Sequence, residues 1–153
     1  MRRLLCTIAL ALLVVFSVSA QDFNWSLGVR LGDDMSGISV KKSVSSRDKI
    51  EGILAVPYWH GVNLTGLYQR YIPVEGFHLY FGAGGHIGNW KYKDNELSNR
   101  YFFFGVDCIV GLEFSILTSL PLSLSIDYKP SYNFTGHRGF SFTGGGIGLR
   151  YRF

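Results

Sequence analysis

Residues 101–114 read YFFFGVDCIVGLEF, and the side chains of this stretch alternate in character from one position to the next. The even positions are apolar throughout, from Phe102 to Phe114, whereas the odd positions include two glycines, Asp107 and Glu113. Successive side chains of a β-strand point to opposite faces, so this period of two predicts a long strand with one wide apolar face.

The same period recurs on both sides of this strand, between turn-forming residues. In FNWSLGVRL, residues 23–31, the odd positions are apolar and the even positions carry Asn, Ser, Gly and Arg; FHLYFGAG, residues 77–84, repeats the pattern. Weaker segments bring the total to eight strands. An even number of strands closes an up-and-down barrel with both termini on one side. The weaker segments are 37–45, 50–56, 62–70, 122–129 and 140–153.

The predicted connections alternate in length along the chain. Short or modest ones at 46–49, 71–74 and 115–121 would lie at one end, and longer ones at 88–100 and 130–139 at the other. Outer-membrane barrels place short turns toward the periplasm and long loops outside. The asymmetry is partial, since two further outer connections, 33–36 and 57–61, are also short.

The N-terminal residues have the composition of a secretory signal peptide. Arg2 and Arg3 precede an apolar run over residues 4–18, and Val18-Ser19-Ala20 supplies small residues before Gln21. The run is shorter than the roughly 20 residues of a spanning helix, and no basic stop-transfer cluster follows it. We therefore predict a cleaved signal peptide over residues 1–20 and a single outer-membrane β-barrel domain over residues 21–153.

Composition excludes several other classes of protein. No apolar segment after residue 20 is long enough for a transmembrane helix. The formal charge of +4 falls to +2 once Arg2 and Arg3 are removed, and the remaining basic residues are too scattered for a nucleic-acid surface. Cys108 would be the one cysteine of the mature chain, so no disulfide forms within it, and we expect a small buried or lipid-facing apolar residue there.

Alternation alone does not decide which face of the barrel meets lipid. A secreted, ligand-binding barrel of the lipocalin type has the same period with its apolar face inside, and this remains an alternative. We favour the membrane barrel because the polar face is rich in glycine, which suits a narrow interior, and because aromatic residues gather near strand ends as interfacial girdles require. The polar face also carries charges of both signs, which predict a lumen network of Arg30, Lys41, Glu51, Asp107, Glu113, Asp127, Arg150 and Arg152.

The last strand, GIGLRYRF over residues 146–153, ends on Phe153, with a second aromatic residue at Tyr151 and a glycine at Gly148. This ending resembles the C-terminal insertion signal of small bacterial outer-membrane β-barrel proteins, the kind that includes the OmpA transmembrane domain, OmpX and OmpW. Gly146 departs from the pattern, which usually has a polar residue there. The resemblance implies insertion by the outer-membrane barrel assembly machinery of a Gram-negative bacterium, and it transfers neither an active site nor a cofactor.

Some eight-stranded barrels modify lipid A, so a hydrolase is an alternative. The deacylase group uses a His-x-Ser arrangement in which a base activates a hydroxyl nucleophile. The nearest candidate here, residues 136–139, has Gly139 where the serine is required. Ser141 stands four residues from His137, roughly 13 Å along a strand, which is too far for a direct hydrogen bond.

An acyltransferase of the palmitoyl-transfer group is a second enzymatic alternative. By resemblance that group relies on His, Asp and Ser near the outer surface, which Asp33, Asp34, Ser36 and His60 could imitate. Acidic residues beside serine are, however, common turn formers. We therefore predict no catalytic residues.

The histidines do not have the spacing of a metal site. His78 and His86 share a face but lie roughly 27 Å apart along a strand. His86 is expected near the outer rim with His60 and His137, and His78 is expected to be a hydrogen-bonded lumen residue. We predict no metal ligands.

Four basic residues of the predicted outer loops are candidates for contact with the phosphates of lipopolysaccharide. A merely solvated loop is the alternative for them. A narrow eight-stranded interior is filled by its own side chains, which disfavours a permanent pore. The sequence thus predicts a non-enzymatic outer-membrane barrel with an envelope-structural or loop-mediated interaction role, whose extracellular partner is not specified. The four residues are Lys91, Lys93, Arg100 and Arg138.

Overall fold

The computed structural model describes residues 24–57, 61–92, 99–117, 120–136 and 138–153, so the predicted signal peptide lies outside the described residues. Within them, ten strand segments follow one another, and no helix is long and apolar enough to span a membrane. The segments are β1 (Trp25–Gly32), β2 (Met35–Ser43), β3 (Asp48–Pro57), β4 (Gly61–Val74), β5 (Phe77–Tyr92), β6 (Asn99–Leu117), β7 (Leu120–Tyr128), β8 (Ser131–Asn133), β9 (Gly139–Ser141) and β10 (Gly145–Arg152).

The segments form a closed antiparallel barrel. Each strand from β1 to β7 pairs with the next, and β10 pairs with both β7 and β1. The short segments β8 and β9 prolong the walls made by β7 and β10, because β8 pairs with β6 and β9 pairs with β8. Eight walls therefore surround the interior, and the predicted eight-stranded up-and-down barrel is confirmed.

The first and last strands close the barrel at its seam. The Trp25 N–H donates to the Phe153 carbonyl at 3.1 Å, and the Phe153 N–H donates to the Trp25 carbonyl at 2.9 Å. Both chain ends of the barrel thus lie at the same end as the turns over residues 44–47 and 75–76. We call this the terminus end, and we call the opposite end, which carries residues 33–34 and 134–136, the loop end.

The longest strands extend beyond their predicted bounds. β4 continues to Val74, so the predicted turn at 71–74 is wrong and the turn consists of Glu75 and Gly76, where Gly76 has a φ of 87°. β5 and β6 likewise continue as a paired hairpin through much of the predicted loop at 88–100. Backbone hydrogen bonds hold a ladder together whatever the side-chain pattern, so pairing outlasts the alternation from which the bounds were predicted.

Side chains are sorted by polarity in the opposite way to a soluble barrel. Apolar residues such as Val29, Phe81 and Val110 are exposed on the outer surface, and Cys108 is exposed among them. Charged side chains such as Glu51 are buried inside, around a small apolar group. That interior group consists of Ile53, Ala55, Leu67, Tyr71, Tyr80 and Ile109.

The barrel wall is uneven at the loop end. The turn between β1 and β2 lies level with the start of β10, because the Asp33 N–H donates to the Gly145 carbonyl at 3.0 Å. The residues that precede Gly145 in the sequence extend the wall toward the loop end through β9. β5, β6 and β8 extend toward the loop end beside them. Among the described residues, β9 pairs on one side with β8, so it forms the edge of a taller wall beside the short β1–β2 turn.

Candidate functional site

The most highly connected group in the interior is the carboxylate of Glu51 on β3. It accepts hydrogen bonds from Arg150 Nη2 at 2.7 Å and from the side chains of Ser39 and Gln69, and Lys41 Nζ lies 3.6 Å away. These partners stand on β2, β4 and β10. One buried acid therefore ties four strands together across the lumen.

A second carboxylate, Glu113 on β6, lies toward the terminus end. Lys41 Nζ and Lys49 Nζ lie 3.4 Å and 3.2 Å from its oxygens, and the Tyr71 hydroxyl donates to it at 3.0 Å. Lys41 bridges the two acids, and its ammonium lies 4.4 Å from the centre of the Tyr80 ring, within the range of a cation–π contact. The ring of Tyr80 stacks on that of Tyr71 at 5.1 Å.

The third carboxylate, Asp127 on β7, pairs with Arg30 on β1. The guanidinium reaches one oxygen through Nη2 at 2.5 Å and Nε at 3.1 Å, and the Tyr80 hydroxyl donates to the other at 3.0 Å. Arg30 also donates to the carbonyl of Gly144 at 3.0 Å. This pair spans the seam, because β10 lies between β1 and β7.

The fourth carboxylate, Asp107 on β6, lies nearest the loop end. Lys129 Nζ lies 2.8 Å from one oxygen, and His86 Nδ1 lies 2.8 Å from the other. The second ring nitrogen of His86, Nε2, lies 2.8 Å from the amide oxygen of Asn133. The imidazole therefore joins β5, β6 and β8 where the taller wall begins.

The buried charges of the described residues balance in number. Each carboxylate has at least one cation beside it, which offsets the free energy of several kcal/mol that an unpaired ion would cost inside a protein. The network connects strands across the lumen, and its chemistry suits cross-linking of the barrel wall. Its basic members are Arg30, Lys41, Lys129 and Arg150, and its acidic members are Glu51, Asp107, Glu113 and Asp127.

The structure places seven of the eight predicted lumen charges in this buried set, and Arg152 is half-buried at the terminus end. Three contributors were missed by the sequence reasoning. Each lies an even number of positions from an inward residue of the same continuous run, so strand parity was the signal that could have found it. The three are Lys49, His86 and Lys129.

Two glycines of β10 make room for the arginines. A Cβ at Gly146 would lie 2.6 Å from Arg30 Cζ, and one at Gly148 would lie 2.7 Å from Arg150 Nη1. A side chain at either position would compete with a guanidinium for space. Gly146, which departs from the C-terminal pattern, thus leaves space in the interior for the Arg30 guanidinium.

The other residues of the predicted insertion signal, Tyr151 and Phe153, lie on the outer side of the last strand. Their rings stack with centroids 6.4 Å apart. Their role in insertion remains a prediction.

Three of the four candidate lipopolysaccharide contacts lie at described positions near the loop end. Lys91 and Arg100 are register partners in the β5–β6 hairpin, and Arg138 is exposed just before β9. Lys93 lies outside the described residues. Their contact with lipopolysaccharide stays a prediction.

The enzymatic alternatives both include a histidine, His60 or His137, that lies outside the described residues. Ser141 shares a hydrogen bond with the Thr143 hydroxyl at 2.8 Å. Asp33 accepts from the Gly144 N–H at 2.9 Å, and burial raises the pKa of Asp34. Asp33 thus acts as the turn former that the sequence suggested.

The structure refines the placement of two histidines. His78 shares the inward face of β5 with Tyr80, and its ring lies 6.3 Å from that of Tyr71, but it is exposed at the terminus end. His86 was expected near the outer rim, and the structure instead buries it in the lumen. The physical reason is strand length, since β5 begins at Phe77 and rises well past His86. In the described part of the chain, no three His, Cys, Asp or Glu side chains form a group that could hold a metal ion.

Comparison with known proteins supports the fold. No protein-family model matches the chain, and no curated protein sequence matches it. The crystal structure of the N-terminal β-barrel domain of OprF from Pseudomonas aeruginosa is similar, with a TM-score of 0.67 and 13% sequence identity over 84% of this chain and 95% of that chain. At this identity the likeness shows the fold alone.

We expect Glu51→Gln to lower the free energy of unfolding by about 3–5 kcal/mol, because it leaves Arg150 and Lys41 buried with a cation in excess. The measurement is urea unfolding of the refolded barrel in detergent micelles. Arg70→Gln is the control: its exposed side chain lies 3.9 Å from Asp48, and its loss should cost less than about 1 kcal/mol. Adding Arg150→Gln to Glu51→Gln should recover part of the loss. If Glu51→Gln and Arg70→Gln lowered the free energy of unfolding by the same amount, the result would contradict a stabilising role for the network.

Gly146→Val should lower the free energy of unfolding by about 1–3 kcal/mol, because the new side chain displaces the Arg30 guanidinium from Asp127. Gly52→Val provides the matched control, since a Cβ at Gly52 would meet no atom within 4 Å. The same urea titration compares the two. Comparable stability of the two variants would show that the interior adapts to the added volume.

Proposed function

We propose that this chain is a non-enzymatic β-barrel protein of the Gram-negative outer membrane, exported through a cleaved signal peptide and inserted by the barrel assembly machinery. One observation carries the proposal: apolar side chains cover the outside of the barrel and paired charges fill its inside. A soluble barrel in water would expose that apolar surface at a large cost in free energy, whereas lipid solvates it.

Other features support the same location. The barrel fold is shared with the OprF domain, and the chain ends on the aromatic strand that resembles an insertion signal. Trp25 is exposed at the terminus end, with Lys42 Nζ 4.9 Å from its ring centre. An amphipathic aromatic ring beside a long basic side chain is typical of a membrane–water interface.

The interior supports a structural or loop-mediated role. The charged lumen side chains that the structure describes are buried and mutually paired, which favours the outer face and the loop end as the surfaces that meet partners. At the loop end, Lys91, Lys93, Arg100 and Arg138 would contact lipopolysaccharide phosphates. In this role the barrel contributes to the integrity of the envelope.

Val110→Arg should destabilise the protein folded in phospholipid vesicles by about 2–4 kcal/mol, because Val110 is exposed in the middle of the outer face of β6. Val74→Arg is the control, since Val74 is exposed at the last position of β4 and near an interface the cost falls to about 0–1 kcal/mol. Urea titration read from the heat-modifiable band on a detergent gel measures both. If Val110→Arg is as mild as Val74→Arg, the outer face does not meet hydrocarbon.

The absence of enzymatic activity is tested by mass spectrometry of lipid A. Cells that express the protein and cells that lack it should give the same acylation pattern. A mass change that corresponds to one acyl chain, present with the protein and abolished by Ser141→Ala or Ser36→Ala, would assign a hydrolase or acyltransferase in place of the proposed role.

A further inference from the structure

Six aromatic side chains lie on the outside of the taller wall, and ring contacts connect five of them. Phe104 contacts Phe134 at 5.7 Å between ring centres, Tyr132 contacts Phe134 at 5.4 Å and Phe140 at 4.7 Å, and Phe140 stacks on Phe142 at 6.0 Å. Phe102, Phe140 and Phe142 are each more than 70% exposed. We call this surface the aromatic face; it consists of Phe102, Phe104, Tyr132, Phe134, Phe140 and Phe142.

The aromatic face rises above the height of an ordinary lipid-facing band. The outward apolar positions of β6 run from Phe102 to Phe114, about 30 Å along the barrel axis at a strand tilt of about 40°. Those of β1 run from Trp25 to Leu31, about 15 Å. A hydrocarbon band on such barrels is about 25 Å tall. The upper part of the aromatic face therefore stands at the level of the lipid headgroups.

One exposed basic residue flanks the aromatic face. Arg138 is exposed two positions before Phe140 in the last wall. Two further basic positions lie nearby along the chain, since Arg100 stands two positions before Phe102 in β6 and Lys91 is its register partner in β5. A headgroup that met this surface would find aromatic rings next to the Arg138 guanidinium. Anionic phosphate matches the cations, and the apolar C–H faces of sugar rings match the aromatic rings.

We propose that the aromatic face binds a phosphorylated glycolipid of the outer leaflet, of the lipid A class, with Arg138 on a phosphate and the rings of Phe140 and Phe142 against the sugar. This inference rests on the outer-membrane location proposed above. It names a site on one side of the barrel, whereas the loop contacts of the proposed function need no particular side. The taller wall forms most of this surface, because four of its six rings lie in β8 or β9 or at the residue that directly follows one of these segments.

The test measures binding of purified lipid A to the full-length mature protein in nanodiscs. Phe140→Leu/Phe142→Leu keeps the outer surface apolar and removes two rings, so affinity should fall about tenfold. Arg138→Gln should lower affinity for the bis-phosphorylated lipid about fivefold and leave affinity for its dephosphorylated form unchanged. The controls are Phe81→Leu, an outward phenylalanine within the hydrocarbon band, and Arg70→Gln, an outward arginine at the terminus end.

Each outcome decides the proposal. Loss of affinity in the aromatic and Arg138 variants, with both controls unchanged, supports it. Equal binding of phosphatidylglycerol overturns it, because the surface would then recognise any anionic lipid. A dimer that the double leucine substitution dissociates also overturns it, because the aromatic face would then be an interface between copies. Cell fractionation tests the outer-membrane location separately from the lipid A site. If the protein is found in the outer membrane but binds no lipid A, the site is refuted and the location is not.

Discussion

Pairing between buried charges is the constraint on which the rest of this barrel depends. A buried ion is costly, and removing one partner of a buried pair is more damaging than replacing both. The four acids therefore need their four bases. Two of the pairs, Arg30 with Asp127 and Glu51 with Arg150, join strands that are distant in sequence. Neutrality of the interior and closure of the barrel therefore support each other.

That requirement explains the distribution of glycine and aromatic residues inside. Long guanidinium side chains fit where a nearby position has no side chain, as at Gly146 beside Arg30 and at Gly148 beside Arg150. The stacked rings of Tyr71 and Tyr80 fill the space between the acids, and their hydroxyls donate to Glu113 and Asp127. The glycines thus leave space for long side chains and the tyrosine rings occupy space between them, so both residue types contribute to the same packing arrangement.

Strand parity explains how much of the molecule was predictable. A period of two assigns each residue to a face, so the eight walls and seven buried charges followed from the sequence. Parity does not give register, and register decides that Glu51 meets Arg150 and that Asp107 meets Lys129. Parity also does not say where a strand ends. β5 was therefore ended too early, and His86 was assigned to the rim although its parity with Tyr80 places it on the inward face.

The uneven wall links the interior to the outer surface. His86, Asp107 and Asn133 fasten β5, β6 and β8 together at the height where β1 and β2 have already turned back. Without this buried connection, the three-residue segments β8 and β9 would rest on few backbone hydrogen bonds, and isolated hairpins of that size are marginal in stability. The aromatic rings of the taller wall therefore owe their fixed positions to a polar contact on the opposite face of the same strands. The buried contacts of the lumen thereby order part of the outer surface.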